Sequence, residues 1–471
     1  MINLAAIAYS LRRDAGEPLF VQLCEQIRRR IVDAAPGTDS RLPPSRALAA
    51  ELGISRSTVV AAYEQLAAEG YIEGRRGSGY YVRDLAGSDP APANTVALRR
   101  DKPRPTTDGA AFSHPGYPDP RLFPYRRWAR SLARSARLTP EALIVSQSRF
   151  GDPELRVSIA RYLADWRGLE VRPEQILITA GSVDALETCI RTLSSPGQTI
   201  GLENPGYQPL RNIADNQGLG IRWLPLDGDG ACLPNAAGPA PGMVVLTPSH
   251  QFPLGGAMPV ARRLEYLQWA RDHGAWLVED DYDSEFRYAG RPIPALTSLD
   301  AAGRSIYIGT FSKVFSVSLR LGYLIMPLEL VLPFEHTLSR FGVKAALPCQ
   351  RALAGFIDSG DFYRHIRRVR RIYADRRRVL VDGIERRLAR WVKFEDHQAG
   401  MQITVELAPD FDDREIAALA QARGAPVTPL SIYYAGGGER PGLLLGFCPH
   451  TPAEIETQID ILAEILAAQA R

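Results

Sequence analysis

The sequence predicts a small helical region that ends in a two-stranded hairpin, followed by a large α/β domain and a smaller α+β domain. Two observations predict the first part: helical periodicity with capping residues over 42–72, and alternation around three glycines over 71–82. A third observation predicts the rest, because short apolar runs alternate with stretches of helical length from about residue 112 onward.

The composition is that of a globular protein with little net charge. The 471 residues are 45% hydrophobic and 23% charged, and the net charge is +3, which excludes extended disorder and a uniformly nucleic-acid-binding surface. Five widely spaced cysteines without a CxxC motif predict no disulfide framework and no metal site, and they favour a reducing cytoplasm. The sequence has no signal-peptide pattern and no apolar run of about 18 residues, so we expect no membrane span.

Three regions differ in composition along the chain. Residues 1–83 hold the helical region and the hairpin, and residues 84–111 have the Pro-, Ala- and Arg-rich composition of a linker. Residues 112–471 carry the α/β pattern. We divide that last region into a large domain over about 112–333 and a small domain over about 334–471.

The strands of the predicted large domain are short apolar runs bounded by Gly, Pro or charged residues. They cover residues 176–179, 199–203, 243–247, 275–280 and 305–310. Helical stretches between them, such as 259–273, predict a mainly parallel sheet with helices on both faces. A very basic helical stretch, two strands and a final helix predict the small domain. These elements lie at residues 363–378, 402–407, 443–447 and from 452 onward.

The first region predicts two helices separated by a tight turn. Ser45 is predicted to cap the first helix, Gly53 to end it with a positive φ, and Ser55 to cap the second. The second helix begins with hydroxyl side chains and one guanidinium, which bind phosphate oxygens and base edges. These residues are Ser55, Arg56, Ser57 and Thr58. The hairpin predicts a wing whose tip presents Arg75 and Arg76 to DNA.

The stretch from PLFVQLCEQIRRR to EGRRGSGYYV, roughly residues 17–83, resembles the winged helix-turn-helix domain of GntR-type bacterial regulators. Taken without the resemblance, a small helical domain with a solvated hairpin is the alternative, because residues 1–83 carry a net charge of only +2. The resemblance implies that Arg46, the helix start at residues 55–58 and Gly77 of the wing contact promoter DNA.

Residues at the ends of the predicted parallel strands indicate a ligand site, because α/β folds bind ligands at that edge of the sheet. Asp280 is a candidate to hold a pyridinium nitrogen protonated, and Tyr282 is a candidate to hydrogen-bond a ring oxygen. Lys313 is one of only four lysines, and a desolvated amine at this position could form a Schiff base. Taken alone, the acids could instead cap a helix and the lysine could lie on the surface.

A phosphate-binding cluster is predicted near Lys313. The motif TAGSVDAL places three backbone amides at a helix N-terminus, and residues after the next strands add hydroxyls and a cation. The cluster comprises Gly181, Ser182, Val183, Thr310, Ser312 and Arg320. Tyr207 offers a flat ring for stacking on a cofactor. Each of these features taken alone is also typical of an ordinary turn.

Together these residues have the order and spacing of fold-type I aminotransferases. With TPSHQFPLG, EDDYDSEFRY and GTFSKVFSVSLRLGY, the whole chain resembles the MocR subfamily, in which a GntR winged helix-turn-helix domain is joined by a linker to an aminotransferase-like domain. The resemblance implies pyridoxal 5′-phosphate (PLP) bound as an aldimine to Lys313, with Asp280 at the pyridine nitrogen, Tyr282 at the ring oxygen and Tyr207 stacked on the ring. It also implies a homodimer in which each winged helix lies over the large domain of the partner.

Two features depart from the aminotransferase pattern. Residues 252–255 read FPLG where many aminotransferases read NPTG, so the asparagine that would bond the ring oxygen is absent, which favours weakened transaminase chemistry. Arg440 is the candidate clamp for an effector carboxylate, although it precedes the strand at 443–447, and a surface arginine is the alternative. His250 is either a ligand contact or a satisfied turn histidine.

We therefore expect a cytoplasmic transcription regulator that binds promoter DNA, binds PLP at Lys313 and senses an amino acid or related amine. The effector amine would displace Lys313 from the cofactor, and closure of the small domain would follow. Two alternatives stay open: a competent PLP-dependent aminotransferase with a DNA-binding appendage, and a regulator that senses only the concentration of PLP.

Overall fold

The computed structural model describes residues 9–14, 16–34, 40–75, 77–83, 116–143, 148–235, 238–290, 293–435 and 440–470. The chain divides into two compact units, Met1–Arg104 and Pro105–Arg471. The predicted linker at residues 84–111 and the predicted DNA contact Arg76 lie outside the described residues.

The first unit contains three helices and an antiparallel hairpin. They are α1 (Leu19–Ala34), α2 (Ser45–Leu52), α3 (Arg56–Ala68), β1 (Ile72–Arg75) and β2 (Gly79–Val82). Val59, Tyr63 and Leu66 are predicted to share one face of α3, and all three are buried in the core of this unit. The hairpin closes with Arg75 opposite Gly79.

The predicted caps of the two motif helices have different outcomes. Gly53 has a φ of 62° and ends α2, and the Ser55 side chain accepts a hydrogen bond of 3.1 Å from the amide of Thr58, so both predictions are confirmed. The prediction that Ser45 caps α2 is wrong. Ser45 is the first helical residue, because Pro44 keeps the extended backbone (ψ 136°) and occupies the cap position without a side-chain hydrogen bond.

The second unit is built on an eight-stranded sheet in the order β3-β10-β9-β8-β7-β4-β5-β6. Its strands are β3 (Ile176–Thr179), β4 (Thr199–Asn204), β5 (Gly220–Asp227), β6 (Gly230–Ala231), β7 (Met243–Leu246), β8 (Trp276–Asp281), β9 (Ser305–Thr310) and β10 (Gly322–Ile325). The five predicted strands are present with bounds that differ by at most one residue from the predictions. The prediction of a mainly parallel sheet is confirmed for β5, β4, β7, β8 and β9.

Two strands of this sheet run against the others. β10 is antiparallel to both β3 and β9, and β6 is antiparallel to β5. β10 was not predicted because only four residues form it and only a single 3-10 turn, Val317–Leu319, separates it from the segment that follows β9. β5 was not predicted because Arg222 and Pro225 interrupt its apolar pattern.

Helices cover the sheet, and a second sheet lies toward the C-terminus. The α-helices are α4 (Tyr125–Leu138), α5 (Pro153–Arg167), α6 (Ser182–Leu193), α7 (Gln208–Asn216), α8 (Val260–His273), α9 (Val331–Phe341), α10 (Gln350–Asp358), α11 (Asp361–Gly383), α12 (Asp413–Ala422) and α13 (Pro452–Gln469). The second sheet has the order β11-β12-β14-β13. Its strands are β11 (Val392–Lys393), β12 (Gln402–Leu407), β13 (Thr428–Pro429) and β14 (Gly442–Gly446).

The strand directions bring the predicted site residues to one edge of the large sheet. The carboxyl ends of β3, β8 and β9 lie at that edge together with the amino end of antiparallel β10, because Gly322 is in register with both Thr179 and Thr310. Within the residues that the structure describes, no helix is both long and apolar enough to cross a membrane.

Candidate cofactor site and DNA-binding surface

Lys313 lies in the turn that follows β9, at the carboxyl edge of the sheet. Its Nζ is 5.6 Å from the centre of the Tyr117 ring. The backbone of Gly116 also approaches it, since a Cβ on Gly116 would lie 3.1 Å from Nζ, and the φ of +79° there favours glycine. Burial lowers the pKa of the Lys313 amine, while the carboxyl groups of Asp283 and Asp280 oppose that shift. Such an amine is neutral, and therefore nucleophilic, more often than a solvated lysine.

Asp280 is a buried acid, and one of its carboxyl oxygens has no hydrogen-bond partner among the described residues. It lies near the end of β8, and no described residue donates a hydrogen bond to its Oδ1, which is shielded from solvent. Burial raises its pKa to about 7, and the nearby charges of Asp281 and Glu203 add to that shift. A buried, unsatisfied acceptor is costly to fold, so this atom indicates a missing donor. A protonated ring nitrogen would supply that donor.

The neighbouring Asp281 has a structural role instead. Successive side chains of a strand point to opposite faces, and Asp281 lies 2.9 Å from the guanidinium of Arg167, an ion pair that is almost fully buried. The hydroxyl of Tyr307 donates a hydrogen bond of 2.5 Å to the same carboxylate. Asp281 is therefore satisfied by the protein, which leaves Asp280 as the acid available to a ligand.

Tyr282 is held by a histidine and a further acid. His250 Nδ1 lies 3.0 Å from Asp283 Oδ2 and 2.9 Å from the hydroxyl of Tyr282. The carboxylate oxygen accepts, so Nδ1 carries the hydrogen, and the Tyr282 oxygen can only accept at the same nitrogen. The hydroxyl hydrogen of Tyr282 is then free to be donated to a ligand oxygen. His250 is thus a buried residue that orients Tyr282. This role resembles the satisfied turn histidine, one of the two alternatives that the sequence left open for His250.

The turn before α6 and the adjoining ends of β9 and β10, the segments that carry the predicted phosphate-binding residues, meet at one corner of the sheet. A Cβ on Gly322 would lie 3.0 Å from Gly181 Cα and 3.0 Å from the Gly309 carbonyl oxygen, so the turn before α6 packs directly against the ends of β9 and β10. Gly181 is the N-cap of α6 (φ 98°), and the amides of Ser182 and Val183 open that helix. The first amides of a helix have no intrahelical partners and bind anions.

Two further groups complete this corner. Thr310 ends β9, and its Oγ1 accepts a hydrogen bond of 3.1 Å from the amide of Ser312. Arg320 is exposed and has a φ of +46°, a left-handed conformation that non-glycine residues seldom adopt. Strained backbone of this kind is concentrated at functional sites. A cation, hydroxyls and helix amides in one place form a cradle suited to phosphate.

Aromatic rings form one wall of the site. Tyr207 follows β4 and contacts the ring of Phe252 edge-on, with 5.9 Å between ring centres. Phe252 makes similar edge contacts with Tyr282 (5.8 Å) and Tyr433 (5.0 Å). Burial raises the pKa of Tyr207 to about 12, so its hydroxyl stays protonated. Phe252, which stands where many aminotransferases have asparagine, therefore contributes an apolar ring in place of a hydrogen-bond donor.

The loop that carries His250 and Phe252 is anchored by a buried acid. Glu203 accepts hydrogen bonds from the amide of Thr247 (3.1 Å), from the Thr247 hydroxyl (2.5 Å) and from Gln251 Nε2 (3.3 Å). Burial raises the pKa of Glu203 to about 7 despite these donors. The network connects the end of β4 to the loop after β7, and it fixes the positions of His250 and Phe252 in that loop.

Arg440 lies in a different groove from the cluster around Lys313. Its guanidinium is 3.4 Å from Glu406, and both residues line a cavity of about 460 Å³ together with Lys393 and His397. None of the residues predicted to bind the cofactor lines that cavity. The role of Arg440 as an effector clamp stays a prediction.

The predicted DNA-binding residues of the first unit gather at the beginnings of α2 and α3. Arg56 Nε donates a hydrogen bond of 3.4 Å to Ser45 Oγ, which links the two helix starts. Arg46 is exposed beside them. The hydroxyls of Ser57 and Thr58 contact Ser55 Oγ at 2.7 and 2.8 Å. The helix start thus presents hydroxyls and guanidinium groups on one surface.

The hairpin adds further cations. Arg75 is exposed, pairs with Glu73 at 2.7 Å and lies over the Tyr81 ring at 4.5 Å. Gly77 at the tip has a φ of +78° and open space around its Cα. Arg41, which the sequence did not single out, lies against the hairpin, since a Cβ on Gly79 would be 3.4 Å from its Nε. Only the three-dimensional pairing of the chain before α2 with the hairpin reveals this arginine.

Sequence reasoning also missed residues of the cofactor site. Gly116 and Tyr117 precede the predicted strands and have no motif of their own, yet they cover Lys313. Gln402, at the start of β12, reaches the same place from the small sheet, and its Nε2 is buried without a partner among the described residues. The alternation of QITVEL predicted the strand of Gln402 but gave no signal for this contact.

These residues fit PLP. The unpaired buried acceptor of Asp280 suits a protonated pyridine nitrogen, the free hydroxyl hydrogen of Tyr282 suits a ring oxygen, and the cradle around Gly322 suits a phosphate. Together with the amine of Lys313, they supply the kinds of group that PLP would need.

Comparison with known proteins gives the same assignment. The model of aminotransferase class I and II matches residues 116–462, and the model of bacterial regulatory proteins of the gntR family matches residues 19–82. The crystal structure of Pyrococcus horikoshii kynurenine aminotransferase in complex with PMP superposes with a TM-score of 0.70 at 25% identity, over 76% of this chain and 91% of that chain. The class is thus a DNA-binding domain joined to an aminotransferase fold.

Two curated relatives share that organisation over nearly their whole length. The probable rhizopine catabolism regulatory protein MocR of Rhizobium meliloti is 39% identical over 97% of this chain and 96% of its own. The HTH-type pyridoxine biosynthesis transcriptional regulator PdxR of Corynebacterium glutamicum is 36% identical over 98% of each chain. This chain belongs to the MocR subfamily of GntR-type transcription regulators.

Proposed function

We propose that this regulator binds PLP at Lys313 and that the state of that site controls promoter binding by the winged helix. The observation that carries the proposal is the buried Oδ1 of Asp280, which has no hydrogen-bond partner among the described residues and lies in the same cluster as the desolvated amine of Lys313. PLP would supply an electrophilic carbonyl and a ring that withdraws electrons. Lys313 would hold it covalently, and the corner around Gly322 would hold its phosphate.

The other residues of the cluster position the cofactor. Asp280 would keep the ring nitrogen protonated, Tyr282 would donate its hydroxyl hydrogen to the ring oxygen, and Tyr207 would stack on the ring. Six residues would bind the phosphate. These are Gly181, Ser182, Val183, Thr310, Ser312 and Arg320.

The effector in this proposal is an amino acid or a related amine that displaces Lys313. An amine is favoured because Lys313 is itself an amine in a site that lowers its pKa, so a competing amine needs no other chemistry. The effector can shift the protein between two states only if it binds them unequally. We also propose a cytoplasmic homodimer, as the resemblance to the MocR subfamily implies.

The DNA-binding part of the proposal rests on the surface at the beginnings of α2 and α3. The residues that would contact the promoter are Arg46, Ser55, Arg56, Ser57, Thr58, Arg75, Arg76 and Gly77, of which Arg76 lies outside the described residues. Helix starts of this composition bind phosphate oxygens and base edges.

Cofactor uptake by lysine variants tests the proposal. The full-length protein, freed of cofactor and titrated with PLP, should develop a visible absorbance band, and Lys313→Ala should not. Lys393→Ala is the matched control, because that lysine is exposed on β11 and should leave the band unchanged. An identical band in the Lys313 variant would overturn the proposal.

The same preparations separate the alternative functions. Sustained turnover of an amino acid and a 2-oxo acid, at about 1 s⁻¹ or faster, would favour an aminotransferase with a DNA-binding appendage. A change in promoter binding on addition of PLP alone, with no further change from any amine, would favour a sensor of PLP concentration. A change that requires an amine supports the proposed regulator.

A further inference from the structure

Helix α4 of the aminotransferase-like unit carries four arginines along one exposed face. Arg126, Arg130, Arg134 and Arg137 are spaced by four, four and three residues, which places them in line on the helix surface, and all four are exposed. We call this set the arginine stripe. At about 1.5 Å of rise per residue, the stripe is about 16 Å long.

Among the described residues these guanidinium groups make no hydrogen bond beyond the helix itself, since Arg130 and Arg137 donate only to backbone carbonyls of α4, at Arg126 (3.4 Å) and Ala133 (3.1 Å). The opposite face of α4 holds the helix in place, since Trp128 packs edge-on against Phe356 (5.8 Å) and Ser131 donates a hydrogen bond of 2.6 Å to the Ala352 carbonyl. Among the described residues, no carboxylate lies within 4.0 Å of any guanidinium of the stripe, and the helix itself contains no acid. Like charges four residues apart destabilise a helix, so the stripe lowers the stability of α4.

The basic surface continues onto the beginning of α11. A cavity of about 460 Å³ separates the two helices, and Arg126, Arg364 and Arg368 line it. Asp361 is the single acid in that lining, and it is already paired with Arg127 at 2.8 Å and Arg364 at 2.9 Å. The result is a surface of positive charge that is separate from the cofactor site.

We propose that the arginine stripe is a second DNA contact, which binds the phosphate backbone of a duplex without reading its sequence. Each strand carries one phosphate per about 3.4 Å of the duplex axis, so the stripe is as long as the axial rise of about five phosphates of one strand. Arginine suits this partner better than lysine because its planar fork binds phosphate oxygens in pairs. The choice of DNA as the polyanion rests on the proposed function, since the same chain carries a GntR domain.

The salt dependence of DNA binding tests this contact. Affinity for a random-sequence duplex several helical turns long is measured at increasing salt for the full-length protein and for R126Q/R130Q/R134Q/R137Q. Each lost phosphate contact should reduce the slope of log K against log salt by about 0.9 and weaken binding about fivefold at 0.15 M salt. Loss of two or more contacts in the stripe variant should therefore reduce the slope by about 2 or more and weaken binding at least about 25-fold at 0.15 M salt.

Four controls make the result specific. The variant R172Q/R271Q/R386Q/R390Q removes the same charge from exposed arginines elsewhere and should keep the slope of the wild type. Replacement of the stripe by lysines should restore most of the slope, and an unchanged PLP absorbance band would show that the stripe variant is folded. Arg56→Ala, in the first unit, reports on the winged helix independently.

The outcomes are distinct. If the wild type binds no duplex, the proposed function fails together with the stripe. If Arg56→Ala weakens binding while the stripe variant keeps the slope of the wild type, only the stripe proposal is overturned. Equal losses of DNA affinity in the stripe variant and the charge-matched control would assign the effect to net charge. Binding to anionic lipid vesicles is measured in parallel, and a stripe variant that loses affinity for the vesicles but not for DNA would assign the stripe to a membrane surface. Both results contradict a DNA contact.

Discussion

Asp280→Asn should stabilise the cofactor-free protein while it impairs cofactor binding. The pKa of Asp280 is raised from 3.8 to about 7 in the folded state, mainly by burial. Because the folded pKa is the higher one, folding stability falls as the pH rises from about 4 to about 7, and the full loss is present above pH 7. At about 1.36 kcal/mol per pKa unit, the loss is about 4 kcal/mol at pH 8 and about 1.5 kcal/mol at pH 5.

Asparagine has a similar shape and carries no charge, so it should recover this free energy. For a folded unit of this size, about 4 kcal/mol corresponds to a rise of about 5 °C in the melting temperature at pH 8, and of about 2 °C at pH 5. Differential scanning calorimetry of the cofactor-free protein at the two pH values measures the shift. The same variant should lose most of its affinity for PLP, since an amide cannot hold the ring nitrogen protonated.

Asp413→Asn is the matched control for this experiment. Asp413 is equally buried, but it accepts hydrogen bonds from the Ser431 amide and hydroxyl (2.8 and 2.7 Å) and from the Gly442 amide (3.1 Å). Its replacement should lower the melting temperature at both pH values, because it loses those acceptors. If Asp280→Asn behaves like this control, the interpretation of Asp280 as an unpaired acid is refuted.

Three further predictions follow from the described contacts. Gly322→Ala should weaken PLP binding about tenfold or more, because its Cβ would lie 3.0 Å from Gly181 Cα and from the Gly309 oxygen; a PLP titration checks this, and Gly228→Ala, with open space around it, should have no effect. Arg56→Ala should weaken promoter binding about tenfold or more in a gel-shift assay and leave the PLP band intact, and unchanged affinity would contradict the role of the α3 start. Leu66→Ala, at a fully buried position of the first unit, should destabilise that unit by about 2–5 kcal/mol without moving the thermal transition of the aminotransferase-like unit, and a single shifted transition would contradict independent units.

The residues that carry chemistry could be found from the sequence because each follows a recognisable strand or opens a helix. Asp280 ends one short apolar run and Lys313 follows another, both of which are typical of buried strands, and the turn before α6 combines glycine and serine in a pattern typical of a helix start. The strand directions then place these segments at one edge of the sheet. The resemblance to the MocR subfamily added the roles of the individual side chains.

The contacts that hold these residues could not be predicted, because they join segments far apart in the chain. The pairing of His250 with Asp283, the close approach of Gly322 to Gly181 and the cover of Lys313 by Gly116 depend on the packing of the whole sheet. The error at Ser45 has a local cause, since a serine after two prolines resembles a cap although Pro44 occupies that position.

Covalent capture of the cofactor tests the central claim most directly. The full-length protein is incubated with PLP, reduced with borohydride and digested, and the modified peptide is identified by mass spectrometry. The account predicts one modified residue, Lys313, and no label on the exposed Lys393. A label on another lysine, or no label at all, would contradict the assignment of Lys313 as the residue that binds PLP.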